Sequence, residues 1–295
     1  MKHRNTVLIT GATSGIGRHA ALALAESGQR VIATGRKADA LLQLRRDSGE
    51  RVEIVELDVN RGDSIESAKR EVQRLTAGSG VDVLINNAGY GMAAPLIETT
   101  ETDLRDQFET NVFGLMGVTR AFVPDMLARG SGRVINISSV GGRVTFPFFG
   151  AYNATKYAVE ALSDALRREL GPFGLHVALI EPGPIRTEFS GKSMEFVAKY
   201  QNPSSPYAQV YENAQRVSEQ ADARAVGPEA VVRAIVHAMT ARRPRARYVV
   251  PARLHVFLAL LSVLPTRWVD VLMQRFIGLP PKRPAAARSP RTLAA

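Results

Sequence analysis

Six short apolar runs alternate with helical patterns over the first two thirds of the chain. They are Asn5–Thr10, Arg30–Thr34, Val52–Leu57, Val81–Ile85, Arg133–Ile137 and His176–Ile180. Strands that alternate with helices over such a length predict an α/β fold, a doubly wound parallel sheet (Rossmann-like) with helices on both faces. The first run ends directly in Gly11-Ala12-Thr13-Ser14-Gly15-Ile16-Gly17, and a helical pattern follows as far as Gly28. Strand, glycine turn and helix N-terminus in this order form a phosphate site for a dinucleotide. Glycine permits the turn and a close backbone approach, and the helix amides and dipole favour the anion. The other singled-out residues also fall at strand carboxyl ends or just beyond, where ligands bind in such sheets.

The second run ends in Gly35-Arg36-Lys37. A site selective for NAD places an acid there for the ribose 2′-hydroxyl, whereas a guanidinium pairs with a 2′-phosphate. Arg36 therefore favours NADP(H), with NAD(H) as the second option. The third run ends in Asp58-Val59. Asp58 suits an adenine amino group and equally suits capping of the next helix, a task open to Asp63-Ser64 as well. The fourth ends in Asn86-Asn87-Ala88-Gly89, where small residues let a ribose lie close to the backbone; a simple turn reads the same. Residues 101–129 form a long helical stretch with a break expected near Gly114 or Gly117. Inside it lies Asn111, an amide among apolar neighbours that is satisfied either structurally or by a catalytic water.

The fifth run leads into Ser138-Ser139 and on to Tyr152 and Lys156, four residues apart and so on one helix face. A phenol is a poor acid at neutral pH, and a neighbouring ammonium is expected to lower its pKa. A nearby serine hydroxyl suits donation to a developing alkoxide. The sixth run ends in Glu181-Pro182-Gly183-Pro184-Ile185-Arg186-Thr187.

These motifs, in this order over residues 5–190, resemble the short-chain dehydrogenase/reductase family in its single-domain form. The match rests on Thr10-Gly11-x-x-x-Gly15-Ile16-Gly17, Asp58-Val59, Asn86-Asn87-Ala88-Gly89, Asn111, Ser139, Tyr152-x-x-x-Lys156 and Pro182-Gly183. The resemblance implies hydride transfer between nicotinamide and a carbonyl or alcohol carbon. It implies Tyr152 as acid and base, Ser139 on the substrate oxygen (Ser138 being second choice), Lys156 on the phenol and the nicotinamide ribose, and Asn111 on a relay water. Cofactor contacts are expected from Gly11, Thr13, Ser14, Gly15, Ile16, Gly17, Arg36, Asp58, Val59, Asn87, Ala88, Gly89, Tyr152, Lys156, Pro182, Gly183, Ile185 and Thr187. Members that prefer NADP often carry a basic residue inside the glycine turn, where this chain has Ser14, so the NADP expectation leans on Arg36. The segment from Gly141 to Thr187 is similar to hydroxysteroid- and retinol-type dehydrogenases and biases the substrate toward a lipophilic small molecule. Dimers or tetramers are common in the family, so a homo-oligomer is expected.

The expected layout is a catalytic domain over 1–250 with a polar, irregular lid at 186–226, an apolar helical extension over 251–278, and a basic disordered tail over 279–295. The chain has no cysteine, which excludes thiolate metal sites and fits a reducing compartment; no metal site is expected. No signal peptide or span of about 18 apolar residues is recognised, and the expected location is cytoplasmic. Residues 241–295 hold eleven Lys/Arg and one acid, Asp270, while the rest of the chain carries 27 groups of each sign. The excess charge thus sits at one end, which argues against a nucleic-acid binder. Within 251–295, Leu254–Leu264 is apolar nearly all round. It reads as core or dimer interface, as cover for an apolar substrate, or as a peripheral membrane contact aided by the arginines. Two rival functions follow: an NADP(H) sensor without turnover, and a membrane or scaffold protein acting through the basic end.

Overall fold

Successive side chains of a strand face opposite sides of a sheet, and Val7, Leu8 and Ile9 are all fully buried. The strand that carries them must therefore be covered on both faces. The computed structural model, which describes residues 4–279, shows how. Seven strands, β1 (Thr6–Ile9), β2 (Arg30–Gly35), β3 (Val52–Glu56), β4 (Val83–Asn86), β5 (Gly132–Ile137), β6 (Leu175–Pro182) and β7 (Arg247–Val250), form one parallel sheet. Their spatial order is β3-β2-β1-β4-β5-β6-β7. The described helices are α1 (Gly15–Glu26), α2 (Ala38–Asp47), α3 (Gly62–Leu75), α4 (Glu101–Phe108), α5 (Leu115–Arg129), α6 (Gly150–Leu170), α7 (Phe189–Tyr200), α8 (Ala208–Ala223), α9 (Glu229–Thr240), α10 (Leu254–Val263) and α11 (Thr266–Ile277).

Val7 and Ile9 pack with Ala20 and Leu24 of α1 and with Val231 and Ile235 of α9. Leu8 faces the other way, among Val72 of α3 and Val118, Phe122 and Met126 of α5. Each such side chain, removed from water, contributes roughly 1.5–3 kcal/mol. From β1 the chain steps to β2 and β3, then returns through α3 to β4 on the other side of β1. In register, Val7 lies beside Val83 and Ile9 beside Ile85. The connections leaving β1 and β4 diverge, and the crevice between them is where an open α/β sheet holds its ligand.

The structure departs from the sequence reading in two places. The expected break in residues 101–129 is a π-helical segment, Glu109–Gly114, that joins α4 to α5 without ending the helix. Gly114 closes the segment with Val59 packed against it, where a Cβ would meet the Val59 carbonyl oxygen at 2.8 Å. The lid region is not irregular: α7 and α8 fill most of it, and Pro203 and Pro206 mark only the link between them. Its pattern is faint because α7 buries only Ser193 and Val197, and α8 only Val210 and Tyr211. The disordered tail expected from 279 on lies, from residue 280, outside the described residues.

At Gly17 an added Cβ would stand 2.4 Å from Asn87 Nδ2 and 2.5 Å from the Gly11 carbonyl oxygen. Gly17→Ala is therefore expected to cost more than ~2 kcal/mol in urea unfolding. Gly62→Ala, with nothing within 4 Å of the new carbon, is expected to be neutral or to stabilise by up to ~1 kcal/mol in the same assay.

Candidate active site

The glycine turn is held from below by β4. The amides of Asn87 and Ala88 donate to Thr10 Oγ1 at 2.9 and 3.0 Å, and Asn87 Nδ2 donates to the carbonyls of Thr10 and Gly11, both at 3.0 Å. The Asn87 side chain is thus engaged by the turn itself. Gly11 has φ +61°, and a Cβ there would come within 2.8 Å of Ala88 Cα. Ser14 precedes α1 in extended conformation with no side-chain capping bond, so the first amides of α1 face outward. One of them, Gly15 N, donates to Glu188 Oε2 at 3.0 Å. Thr187 stands beside Gly15, and Ile16 packs on the core under the turn. The Thr13 methyl lies 2.8 Å from where a Gly35 Cβ would be, so the end of β2 abuts the turn. Arg36, next along, is exposed.

Further along the crevice, Asp58 Oδ1 accepts from Asn60 N at 3.0 Å, and Ser64 Oγ accepts from Asp58 N at 2.9 Å. Neither residue caps α3, whose N-cap is Arg61, and Asp63 instead pairs with the Arg61 guanidinium. Val59 is buried against the π segment. On the far side, Pro182 ends β6, and Gly183 N donates to Val250 O at 2.7 Å. Ile185 bridges to Val226.

Beyond β5 the chemistry converges. Ser139 Oγ accepts from Gly141 N at 3.0 Å and donates to Pro182 O at 3.3 Å; its hydroxyl and the Tyr152 ring border the same space, 3.3 and 3.4 Å from where a Gly141 Cβ would be. Ser138 does not share this place; its hydroxyl is buried near Gly142. Tyr152 is 8% exposed and lies between the rings of Phe149 and Phe189, at 6.3 and 5.6 Å between centroids. Lys156 Nζ sits 5.7 Å from the Tyr152 ring and donates to Ile137 O at 2.8 Å. The π segment turns Asn111 toward the same region. Its Nδ2 donates to Tyr90 O and to Thr155 Oγ1, both at 3.0 Å, and its Oδ1 accepts from Tyr90 N at 3.1 Å. Of the two readings of Asn111, structural satisfaction is thus met by the Tyr90 backbone. A Cβ on Gly89 would fall 2.9 Å from that Oδ1 and 3.9 Å from Lys156 Nζ, so Gly89 keeps Asn111 and Lys156 within one space.

The electrostatics reverse one expectation. Burial pushes the Tyr152 phenol up to about 12, with Ser139 opposing it, and burial pulls Lys156 down to about 8, with Glu160 opposing that. Both groups are thereby biased toward their neutral forms, because the fold removes water from them. Behind Lys156 lies a buried ionic cluster that the sequence reading missed. Arg247 Nε sits 2.9 Å from Glu160 Oε2 and 3.2 Å from Glu181 Oε1, and Arg247 also pairs with Asp164 at 2.9 Å. Glu181, fully buried, is raised to about 7 by burial and by the Glu160 charge. A raised carboxyl binds a proton more tightly folded than unfolded, so its contribution is present below the unfolded value near 4.5 and is lost as pH rises through about 7. Glu181→Gln is expected to lose less stability than the wild type between pH 4.5 and 7, read as denaturation midpoints across that range.

Other positioning residues also went unread. Asn153, 1% exposed, donates to Gly141 O and accepts from Phe146 N, which fixes the loop between Ser139 and Tyr152. Gly91 makes room for Phe189, whose ring would lie 2.3 Å from a Cβ there. The lid is tied to the segment before α5: Asp103 accepts from Lys199 and from the Tyr200 hydroxyl, and Tyr211 donates to Glu98 at 2.8 Å. A lone acid in an apolar strand, as at Glu181, was the available signal.

Comparison with known proteins agrees with this geometry. Residues 5–198 match the family described as short chain dehydrogenase. The chain is 37% identical over 273 residues to the uncharacterized oxidoreductase YbbO of Escherichia coli K12, covering 92% of this chain and 94% of that one. It is 31% identical to an NADPH-dependent 3-dehydrocapnine reductase of Ornithobacterium rhinotracheale (91% and 95% covered) and 34% identical to human retinol dehydrogenase 16 (90% and 87%). A short-chain dehydrogenase structure from Streptomyces avermitilis superposes with a TM-score of 0.77 at 33% identity, over 94% of this chain and 98% of that one. The chain therefore belongs to the short-chain dehydrogenase/reductase family and is an NAD(P)-dependent oxidoreductase acting on CH–OH donors. The crevice fits such a cofactor: Gly11 and Gly17 leave no Cβ over the turn, and Glu188 shows that the first amides of α1 accept an anion.

Proposed function

We propose that the chain is an NADP(H)-preferring oxidoreductase for the carbonyl or secondary alcohol of a fairly apolar molecule, steroid-, retinoid- or ketone-like, with Tyr152 as the acid and base. The observation that carries this reading is the buried Tyr152, which shares the space beside Gly141 with the Ser139 hydroxyl and has Lys156 beneath its ring and aromatic rings on either side.

NADP(H), when bound, supplies or accepts the hydride. In reduction, Tyr152 donates its proton to the substrate oxygen while Ser139 donates a hydrogen bond to the same atom. In oxidation the phenolate takes the proton back. A phenol near 12 gives up its proton reluctantly, so the step requires an ammonium at Lys156 to stabilise the phenolate. A Lys156 pKa of about 8 leaves that ammonium largely formed at neutral pH and able to pass its own proton on. In this reading Asn111, its Nδ2 held by Tyr90 and Thr155, steadies the relay water on the Lys156 side with the remaining lone pair of Oδ1. The glycine turn, Asp58, Val59, Asn87, Ala88, Gly89, Pro182, Gly183, Ile185 and Thr187 contact the cofactor. Arg36, exposed at the end of β2 with Gly35 in place of an acid, receives the 2′-phosphate. Support for an apolar substrate comes from Phe149, Phe189, Phe196 and Met194 around the lid, and from the relatives named for retinol and 3-dehydrocapnine.

In an NADPH-oxidation screen across ketosteroids, retinal and simple ketones, Tyr152→Phe is expected to lose about 10²–10⁴-fold in turnover while it still binds NADPH. Equal rates in both proteins would remove Tyr152 from the chemistry. For Arg36→Ala, NADPH affinity is expected to fall about tenfold or more with NADH affinity unchanged, as for a lost charge-assisted phosphate contact. An unaltered NADPH-to-NADH ratio would move the discrimination elsewhere.

A further inference from the structure

Helices α10 and α11 each have two apolar faces, and only one of the two is covered. Inward, Leu258, Leu261 and Met273 are buried over Val140, Val144 and Val249. Outward, Val256 is 74% exposed, Leu260 54%, Val263 78% and Trp268 68%, with Leu272 also exposed. Val256, Leu260 and Val263 recur at helical spacing and form one stripe of α10; Trp268 and Leu272 do the same on α11. Both helices pack on one cluster, and each leaves an apolar stripe exposed. Single exposed apolar residues are ordinary on a protein surface, but a run of this kind marks a contact. Along these helices the charge is mostly of one sign: Arg253, Arg267 and Arg275 stand on or beside them against the single acid Asp270.

We propose that this outer face of α10 and α11 docks on an anionic lipid bilayer and lies in the plane of its interface. The charges select this occupant over two others. A second copy seated by two-fold symmetry would set one net-positive face against an identical one. Residues 280–295 of the chain itself contain four more cations and one large aliphatic side chain, Leu293, a composition that complements neither the arginines nor the stripe. Anionic headgroups meet the arginines while the apolar stripe enters the acyl boundary, and Trp268 suits the headgroup level, where its ring is apolar and its N–H stays hydrated. Among the described residues no helix is long and apolar enough to cross a membrane, which leaves an in-plane contact. The cluster beneath these helices includes Val140 and Val144, which follow Ser139 closely. Docking would therefore bring the site close to the acyl phase that holds an apolar substrate; this last consequence rests on the proposed function, whereas the docking does not.

Trp268 is the chain's one tryptophan, so the emission of the unaltered full-length protein reports on this face directly. On addition of phosphatidylglycerol vesicles its emission is expected to shift to the blue and to be quenched by brominated acyl chains. The response should be weak with phosphatidylcholine alone and should be reversed by about 0.5 M salt. A Leu260→Glu, Val263→Glu double variant is expected to bind such vesicles about tenfold or more weakly with NADPH affinity unchanged. No response to phosphatidylglycerol, or an equal response to both lipids, would overturn the proposal. So would a blue shift that tracks protein concentration without lipid and vanishes in the double variant, since that is the mark of a copy-to-copy face. Vesicle binding needs no turnover, so its failure and a failure of the Tyr152 assignment are read separately.

Discussion

The join between Thr10 and Asn87 is the contact on which the site depends. Two amides from the end of β4 converge on one threonine hydroxyl, and the Asn87 amide group returns two hydrogen bonds to the carbonyls of the glycine turn. Four short bonds thus fix the mouth of the crevice where the two halves of the sheet part. The absence of a Cβ at Gly11 and at Gly17 is a consequence of this join, because the backbone of one half runs against the side chain of the other. A turn held this way presents its amides in a set direction, so anion binding requires little reordering there.

The second constraint is water exclusion. Tyr152 and Lys156 are nearly buried, and each is biased toward its uncharged form. Glu160, one turn beyond Lys156 on α6, works the other way and favours the ammonium, while Arg247 compensates Glu160 and Glu181 together. The charge on Lys156 is therefore set by a balance that extends through the sheet to β7. Buried ionic clusters of this kind are costly to break, since removal of one partner strands the others.

The parallel sheet was legible because its strands are apolar on both faces and end in turns that glycine and asparagine announce. The spacing of Tyr152 and Lys156 was legible for a related reason: a helix places them on one face whatever surrounds it. Tertiary detail was not. The π segment around Asn111 ends where Gly114 packs on Val59, residues 55 positions apart, and no local pattern encodes that contact. The helices of the lid carry too few buried apolar positions to stand out from a polar stretch. The phenol's direction of shift was misjudged because spacing reveals a neighbouring cation but not the depth at which both groups lie. Glu181 read as the end of a strand, and its partners Arg247 and Arg143 came from remote parts of the chain.

The contact between Glu188 and Gly15 ties these parts together. Glu188 stands one residue before α7, and its carboxylate rests on an amide that opens α1. A dinucleotide phosphate and this carboxylate are rivals for the same partial positive charge. Glu188 is followed directly by Phe189, whose ring leans on that of Tyr152. The anion-binding end of α1 and the aromatic wall beside Tyr152 are therefore joined through two consecutive residues.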